Sequence, residues 1–144
     1  MSECEPLVVD DAVTIPGADL SWTSARSSGP GGQNVNKVES KVDLRFDLEA
    51  TAALPAGVKA RLRRLCANRL DAEGRVAVVS QKTRDRPKNL EDAREKLRRL
   101  IAAALVPEVP RKPTKPSRGA VRRRLAAKKK QGEKKAGRRP AGED

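Results

Sequence analysis

Histidine and tyrosine are missing from this 144-residue sequence, and Trp22 and Phe46 are its only aromatic residues. Without histidine there is no Ser-His or Cys-His pair to activate a nucleophile. Cys4 and Cys66 are too few for a disulfide framework, and without histidine they do not predict a zinc site. We expect Cys66 to be a buried thiol. Any catalysis must therefore use backbone groups, amides, carboxylates, Lys or Arg bases, or the substrate itself, with no metal and no cofactor.

Long apolar runs are absent too. No stretch approaches the ~20 apolar residues that cross a bilayer, so we expect no membrane association. The acidic start Met1–Glu5 lacks the apolar run of a secretory signal. An Arg-rich, acid-poor organellar leader is also missing. We therefore expect a protein of the bacterial cytoplasm.

The charge is strongly basic and unevenly distributed. The net charge is +13, of which Glu108–Asp144 supplies 14 basic and 4 acidic residues, leaving 18 and 15 for the rest of the chain. An excess of this size predicts a polyanionic partner. The C-terminal segment supplies most of the attraction.

Apolar periodicity predicts the fold class. Val42–Leu48 alternates apolar and polar residues and is the clearest strand, with shorter strands at Val13–Ile15, Leu20–Ser24 and Arg75–Gln81. Two helices are expected. The first opens at Pro55, with apolar positions Val58, Leu62, Leu65, Cys66 and Leu70, and the second is capped by Asn89 and stopped by Pro107. This order predicts an α+β fold, in which two helices pack on one face of a small, mostly antiparallel sheet.

The chain divides into three segments. Residues 1–105 form the globular domain, residues 106–117 are a proline-rich extended linker, and residues 118–144 are a basic tail. The tail is rich in Arg, Ala, Leu and Lys, which favour helix, but its like charges repel one another. We expect it to be disordered alone and helical against a polyanion.

A glycine-rich loop of about a dozen residues lies between two predicted strands. Its centre, Gly31-Gly32-Gln33, places two permissive glycines before an amide. On spacing alone, a hairpin turn is the better interpretation.

The flanking residues change that interpretation. The twelve residues 26–37, Arg-Ser-Ser-Gly-Pro-Gly-Gly-Gln-Asn-Val-Asn-Lys, resemble the signature of class-I peptide-chain release factors. Gln81, Arg84 and Asn89 match a second segment of that family, but Asp85 and Arg86 stand where its pattern has Ser-Gln. The resemblance therefore implies no role for those two positions. The chain is too short to hold a release factor's codon-reading domain.

The basic tail resembles that of the codon-independent ribosome-rescue hydrolases, the alternative ribosome-rescue factor B group. This resemblance implies hydrolysis of peptidyl-tRNA on stalled ribosomes, with the loop in the peptidyl-transferase centre and the tail in the empty mRNA channel of the small subunit. The implied catalytic residues are Gly31, Gly32 and Gln33. The implied loop-bracing or RNA contacts are Arg26, Asn34, Asn36 and Lys37. The implied channel contacts are Arg118, Arg123, Arg124, Lys128, Lys129 and Lys130.

For Asn34 and Asn36, local turn chemistry is an equal alternative to RNA contact. The implied partners are the 70S-type ribosome with the rRNA of both subunits, peptidyl-tRNA, and a glutamine methyltransferase that would act on Gln33. We expect a monomer. Two alternatives stay open: a non-catalytic RNA-binding or ribosome-binding protein, and a rescue factor that needs a partner or acts on free peptidyl-tRNA.

Overall fold

The computed structural model describes residues 2–26, 39–140 and 142, without the side chains of residues 2 and 3. The chain forms two units, Met1–Pro107 and Glu108–Asp144. The strands are β1 (Ser2–Glu3), β2 (Leu7–Val8), β3 (Thr14–Ile15), β4 (Leu20–Ala25), β5 (Lys41–Phe46) and β6 (Val76–Ser80). The α-helices are α1 (Ala56–Leu65), α2 (Arg86–Leu105) and α3 (Arg118–Ala136).

Four strands form an antiparallel sheet in the order β1-β4-β5-β6, and β2 and β3 pair separately as a ribbon. β4 and β5 are paired from Leu20↔Phe46 to Ala25↔Lys41. Side chains alternate between the two faces along β5, where Val42, Leu44 and Phe46 are fully buried. The strand predicted from this alternation is confirmed.

Helices α1 and α2 pack against each other, and α2 covers the inner face of β5 and β6. The buried stripe of α2 contains Ala93, Leu97, Ile101 and Ala104, which recur at the three- and four-residue spacing of one helix face. Burial of their apolar surface against the sheet stabilises this unit. The predicted α+β architecture is confirmed.

The first helix is shorter than predicted. α1 ends at Leu65, and a 3₁₀ turn over Ala67–Arg69 follows it. Leu65, predicted to be on the buried face, is 51% exposed, whereas Cys66 is fully buried as predicted. Leu70 leaves the helical path and bridges to Val76 instead. The helical spacing of apolar residues therefore extends past the end of α1 into the 3₁₀ turn, and this spacing alone does not reveal where the α-helix ends.

In the second unit, residues 118–136 form α3. Ser117 caps it, since its hydroxyl oxygen accepts a hydrogen bond from the Ala120 amide at 3.1 Å. Helix is the conformation that the sequence predicts for the tail bound to a polyanion, and disorder of the free tail stays a prediction. Within the described residues, no helix has the length and apolarity needed to cross a membrane.

Candidate active site

The β4–β5 hairpin presents the glycine-rich loop. Its strand pairing ends at Ala25↔Lys41, so residues 26–40 form the connection. We call residues 24–26 and 39–41 the two feet of the loop. Residues 27–38 lie outside the described residues, and six predicted site residues fall among them: Gly31, Gly32, Gln33, Asn34, Asn36 and Lys37.

In the first foot, Ser24 is half-buried, whereas Ala25 and Arg26, the predicted loop-bracing residue that the structure describes, are exposed. Beside it, the Ser24 hydroxyl donates a hydrogen bond to Oε2 of Glu39 at 3.4 Å. This long contact joins the two feet across the mouth of the hairpin. At that length and exposure it contributes little to stability.

The second foot is held more firmly. Ser40 is 5% exposed, and its carbonyl oxygen accepts a hydrogen bond of 2.6 Å from Nδ2 of Asn89. The same Nδ2 donates to the Thr83 carbonyl at 2.9 Å, and the Thr83 amide donates to Oδ1 of Asn89 at 2.9 Å. One buried amide thus joins the loop foot, the residues after β6 and the first turns of α2.

Asn89 is therefore not the N-cap of the second helix, and that prediction was wrong. α2 begins at Arg86, the extended residue Asp85 occupies the cap position, and Pro87 lies in the first turn. Proline is favoured at the start of a helix because its fixed φ suits that position and its missing N–H is not needed there. Pro87 was the sequence signal for the true start, and it frees Asn89 to point inward.

Exposed cations surround the hydrogen-bonded cluster of Ser40, Thr83 and Asn89. Lys82, Arg84, Arg86 and Lys88 are all exposed, and the carboxylate of Asp85 among them lies 3.9 Å from Nζ of Lys88. The residues at which the chain departs from the release-factor pattern, Asp85 and Arg86, thus lie at the surface, on either side of the helix start. The segment that follows β6 is basic where it adjoins the second foot.

A second polar contact fixes α2 to the end of β6. The Ser80 hydroxyl donates to Oδ2 of Asp92 at 2.6 Å, and Nζ of Lys96 lies 2.7 Å from the same oxygen. Hydrogen bonds from Lys96 and then Ser80 lower the pKa of the Asp92 carboxyl. The carboxylate therefore stays charged and keeps the helix in register with the strand. In the described part of the chain, no group of acidic, cysteine or histidine side chains could hold a metal ion.

The tail helix has a different charge geometry. At about 100° per residue, the cations of α3 form three rows about 120° apart, each about 40° wide. The first row is Arg118, Arg122 and Lys129, the second is Arg123, Lys130 and Lys134, and the third is Arg124, Lys128 and Lys135. All six predicted channel contacts are exposed and are shared among the rows. The helix therefore directs positive charge to every side.

Comparison with known proteins identifies the family. The RF-1 domain model matches residues 9–139, which includes both the hairpin loop and the tail helix. The chain belongs to the RF-1 domain family. Since a release-factor catalytic domain is an RF-1 domain, the resemblance stated from residues 26–37 is confirmed.

Curated relatives of this RF-1 domain protein include one of nearly the same length. Peptidyl-tRNA hydrolase ArfB from Pseudomonas putida is 42% identical over 132 residues, which cover 92% of this chain and 96% of the relative. The mouse large ribosomal subunit protein mL62 is 38% identical over 70% of this chain and 48% of its own length. Peptide chain release factor 1 from Parabacteroides distasonis is 37% identical over 62% of this chain and 20% of its own.

Proposed function

We propose that this chain hydrolyses the ester bond of peptidyl-tRNA on ribosomes stalled without a codon to read. The observation that carries the proposal is the 42% identity to a protein named peptidyl-tRNA hydrolase, which extends over 92% of this chain and 96% of that relative. The tail helix lies inside the region that the family model matches, residues 9–139, which supports including the tail in the proposal. The proposed place of action is the bacterial cytoplasm, in keeping with a bacterial relative.

The proposed catalytic residues are Gly31, Gly32 and Gln33. In the hydrolysis, the oxygen of water bonds to the ester carbonyl carbon, and the terminal ribose oxygen of the tRNA leaves with a proton. The backbone N–H of Gln33 would donate to the negative charge that develops, and its side-chain amide would orient the water. The two glycines leave room for that approach. Ribosomal RNA and the tRNA would supply the remaining groups, which suits a chain without histidine.

The hairpin supports this role because the sheet and one buried side chain hold the base of the loop. Catalysis by a loop requires that the groups it presents be positioned by a rigid scaffold. Here the loop emerges from the two central strands of the four-stranded sheet, and Ser40 is bonded to Asn89 at one foot. Arg26, Asn34, Asn36 and Lys37 would contact RNA phosphates or brace the loop.

The tail would occupy the empty mRNA channel of the small subunit. A basic helix that lies on a flat RNA surface needs positive charge on one side only. In α3, three rows of cations lie about 120° apart around the helix axis. Phosphates that surround the helix would engage all three rows, including Arg118, Arg123, Arg124 and Lys128–Lys130. Such a channel is free only when mRNA is missing, so tail binding would select stalled ribosomes.

The test is a single-turnover release assay on ribosomes that carry peptidyl-tRNA and a message ending in the P site. The intact chain should release peptide, and Gly32→Ala or Gln33→Gly should slow release by about 10²–10³-fold, the usual effect of losing one oriented donor. Both variants should still bind the ribosome. Release by Gly32→Ala at the parent rate would contradict the mechanism.

Three further arms separate the alternatives. Truncation after Pro116 should abolish release on these complexes while leaving the hairpin loop unchanged. Free peptidyl-tRNA should not be hydrolysed. Binding without release by the intact chain would favour a non-catalytic RNA-binding protein, and release only after addition of another factor would favour a partner-dependent one.

Two partner-related proposals can be measured on the same material. Gln33 is proposed as the substrate of a glutamine methyltransferase, which intact-mass analysis would detect as a gain of one methyl group. The free chain is proposed to be a monomer, which sedimentation at several concentrations would test.

A further inference from the structure

We infer that Asn89 is a positioning residue for the hairpin loop, acting through the Ser40 carbonyl; the inference rests on the proposed function. Asn89 is fully buried. Both of its amide protons are used, toward Ser40 O at 2.6 Å and Thr83 O at 2.9 Å, and its oxygen accepts from the Thr83 amide at 2.9 Å. A buried amide satisfied in this way holds its neighbours in fixed directions.

Ser40 needs this partner because it lies just beyond the sheet. The pairing of β5 with β4 ends at Lys41, and its pairing with β6 ends at Val42. The Ser40 carbonyl thus lies one residue beyond the last paired position, yet it is buried, and an unpaired buried carbonyl is unfavourable. Asn89, 49 residues away in sequence, supplies the missing donor.

Packing alone does not explain an amide at this position. Asn89 begins the buried stripe of α2 that continues with Ala93, Leu97 and Ile101. An apolar residue would suit that stripe, whereas an amide is tolerated only with its hydrogen bonds made. The Asn89 side chain therefore contributes its hydrogen bonds rather than buried apolar surface. Through them it fixes the position at which the backbone leaves the loop and enters β5.

The link to the loop is asymmetric. The side-chain contact between the two feet, from Ser24 to Glu39, is 3.4 Å long and exposed. The hydrogen bond from Asn89 to Ser40 is shorter and better buried. Through its bonds to Thr83, Asn89 also connects the second foot to the segment that carries Lys82 and Arg84. Loss of this connection should let the second foot move while the hairpin pairing stays intact. A displacement of about 1 Å at a reacting group can slow a reaction by about 100-fold.

The test compares Asn89→Ala with Ser80→Ala. Ser80 is also buried at the junction of β6 and α2, and its variant loses the 2.6 Å side-chain hydrogen bond to Asp92 but no hydrogen bond from a side chain to the loop feet. Both full-length variants would be assayed well below their unfolding temperatures for release kinetics on stalled ribosomes. Hydrogen exchange over residues 39–43 would be measured on the free proteins.

Asn89→Ala should lower kcat at least tenfold with KM and ribosome affinity within twofold, and it should speed exchange at residues 39–43 at least tenfold. Ser80→Ala should change neither quantity more than twofold. Equal kcat in the two variants would overturn the inference. If the intact chain releases no peptide, the proposed function fails, and exchange alone decides: unchanged protection in Asn89→Ala would overturn the positioning role.

Discussion

Neutralising one row of the tail helix at a time distinguishes a channel that surrounds α3 from a surface that it lies on. Three variants replace the three cations of the first, second or third row with glutamine, which keeps length and helix propensity. Each variant loses the same charge, so the three are controls for one another. A fourth variant with one replacement in each row, at Arg122, Lys130 and Lys135, removes equal charge without emptying a row.

The expected magnitude follows from counterion release. Each phosphate that a cation neutralises contributes about 0.7–0.9 to the slope of log affinity against log salt concentration. Replacing the three cations of one row should reduce that slope by roughly 2–3, so that each row variant loses affinity by some orders of magnitude at low salt and by less at high salt. Because α3 has three cations in each row, a surrounding channel predicts nearly equal losses of affinity for the three row variants.

The assay is equilibrium binding to ribosomes with an empty mRNA channel, measured over a series of salt concentrations. A similar reduction of the slope in all four variants would support enclosure of the helix. A large loss of affinity for one row with little effect of the other two would refute it and favour a flat RNA surface. A slope unchanged by all four would show that the tail binds no phosphates.

Three further predictions concern stability and conformation. Gly74 has φ +77°, so Gly74→Ala should lower the free energy of unfolding in urea by about 1–2 kcal/mol. Gly57 lies in α1, and a Cβ added there would meet no atom closer than a guanidinium nitrogen of Arg61 at 3.9 Å. Gly57→Ala should therefore be neutral or stabilising by up to about 1 kcal/mol. Equal losses of stability in the two variants would contradict the backbone argument. The hydrogen bond from Arg98 lowers the pKa of Glu95 to about 2, so its stabilising contribution is full above about pH 4.5 and is lost as the pH falls toward 2; Glu95→Gln should flatten that part of the stability–pH profile, and an unaltered profile would contradict it. By circular dichroism at low salt, removing residues 118–144 should barely change the helix signal, whereas RNA should add helix to the intact chain; a free chain that already shows the 19 helical residues of α3 would disprove tail disorder.

Local sequence patterns predicted the elements that are regular over several residues. Val42–Leu48 alternates with period two, and its burial follows that alternation in β5. The second helix, predicted to lie between Asn89 and Pro107, is α2, which spans Arg86–Leu105. The ends of the helices were less predictable, because the apolar period of α1 continued into the 3₁₀ turn, and Asn89 suited a cap by composition.

The candidate site was predicted from its motif, not from periodicity. Gly31-Gly32-Gln33 by itself resembles any glycine turn, and the neighbours at residues 26–37 made it specific. The hydrogen-bonded cluster of Ser40, Thr83 and Asn89 at the base of the loop was not predicted. Asn89 lies 49 residues after Ser40 in sequence, so no local pattern could show that its side chain binds the Ser40 carbonyl as well as the nearby Thr83.

The sequence by itself determined the fold class, the family, the loop motif and the basic tail, because each depends on residue types at fixed short spacings. The tertiary structure decided that Asn89 turns inward and binds Ser40, because only the packing of α2 on the sheet brings two residues 49 positions apart within 2.6 Å. The three-sided arrangement of the tail cations, by contrast, needs no tertiary contact, because it follows from residue spacing once residues 118–136 are helical.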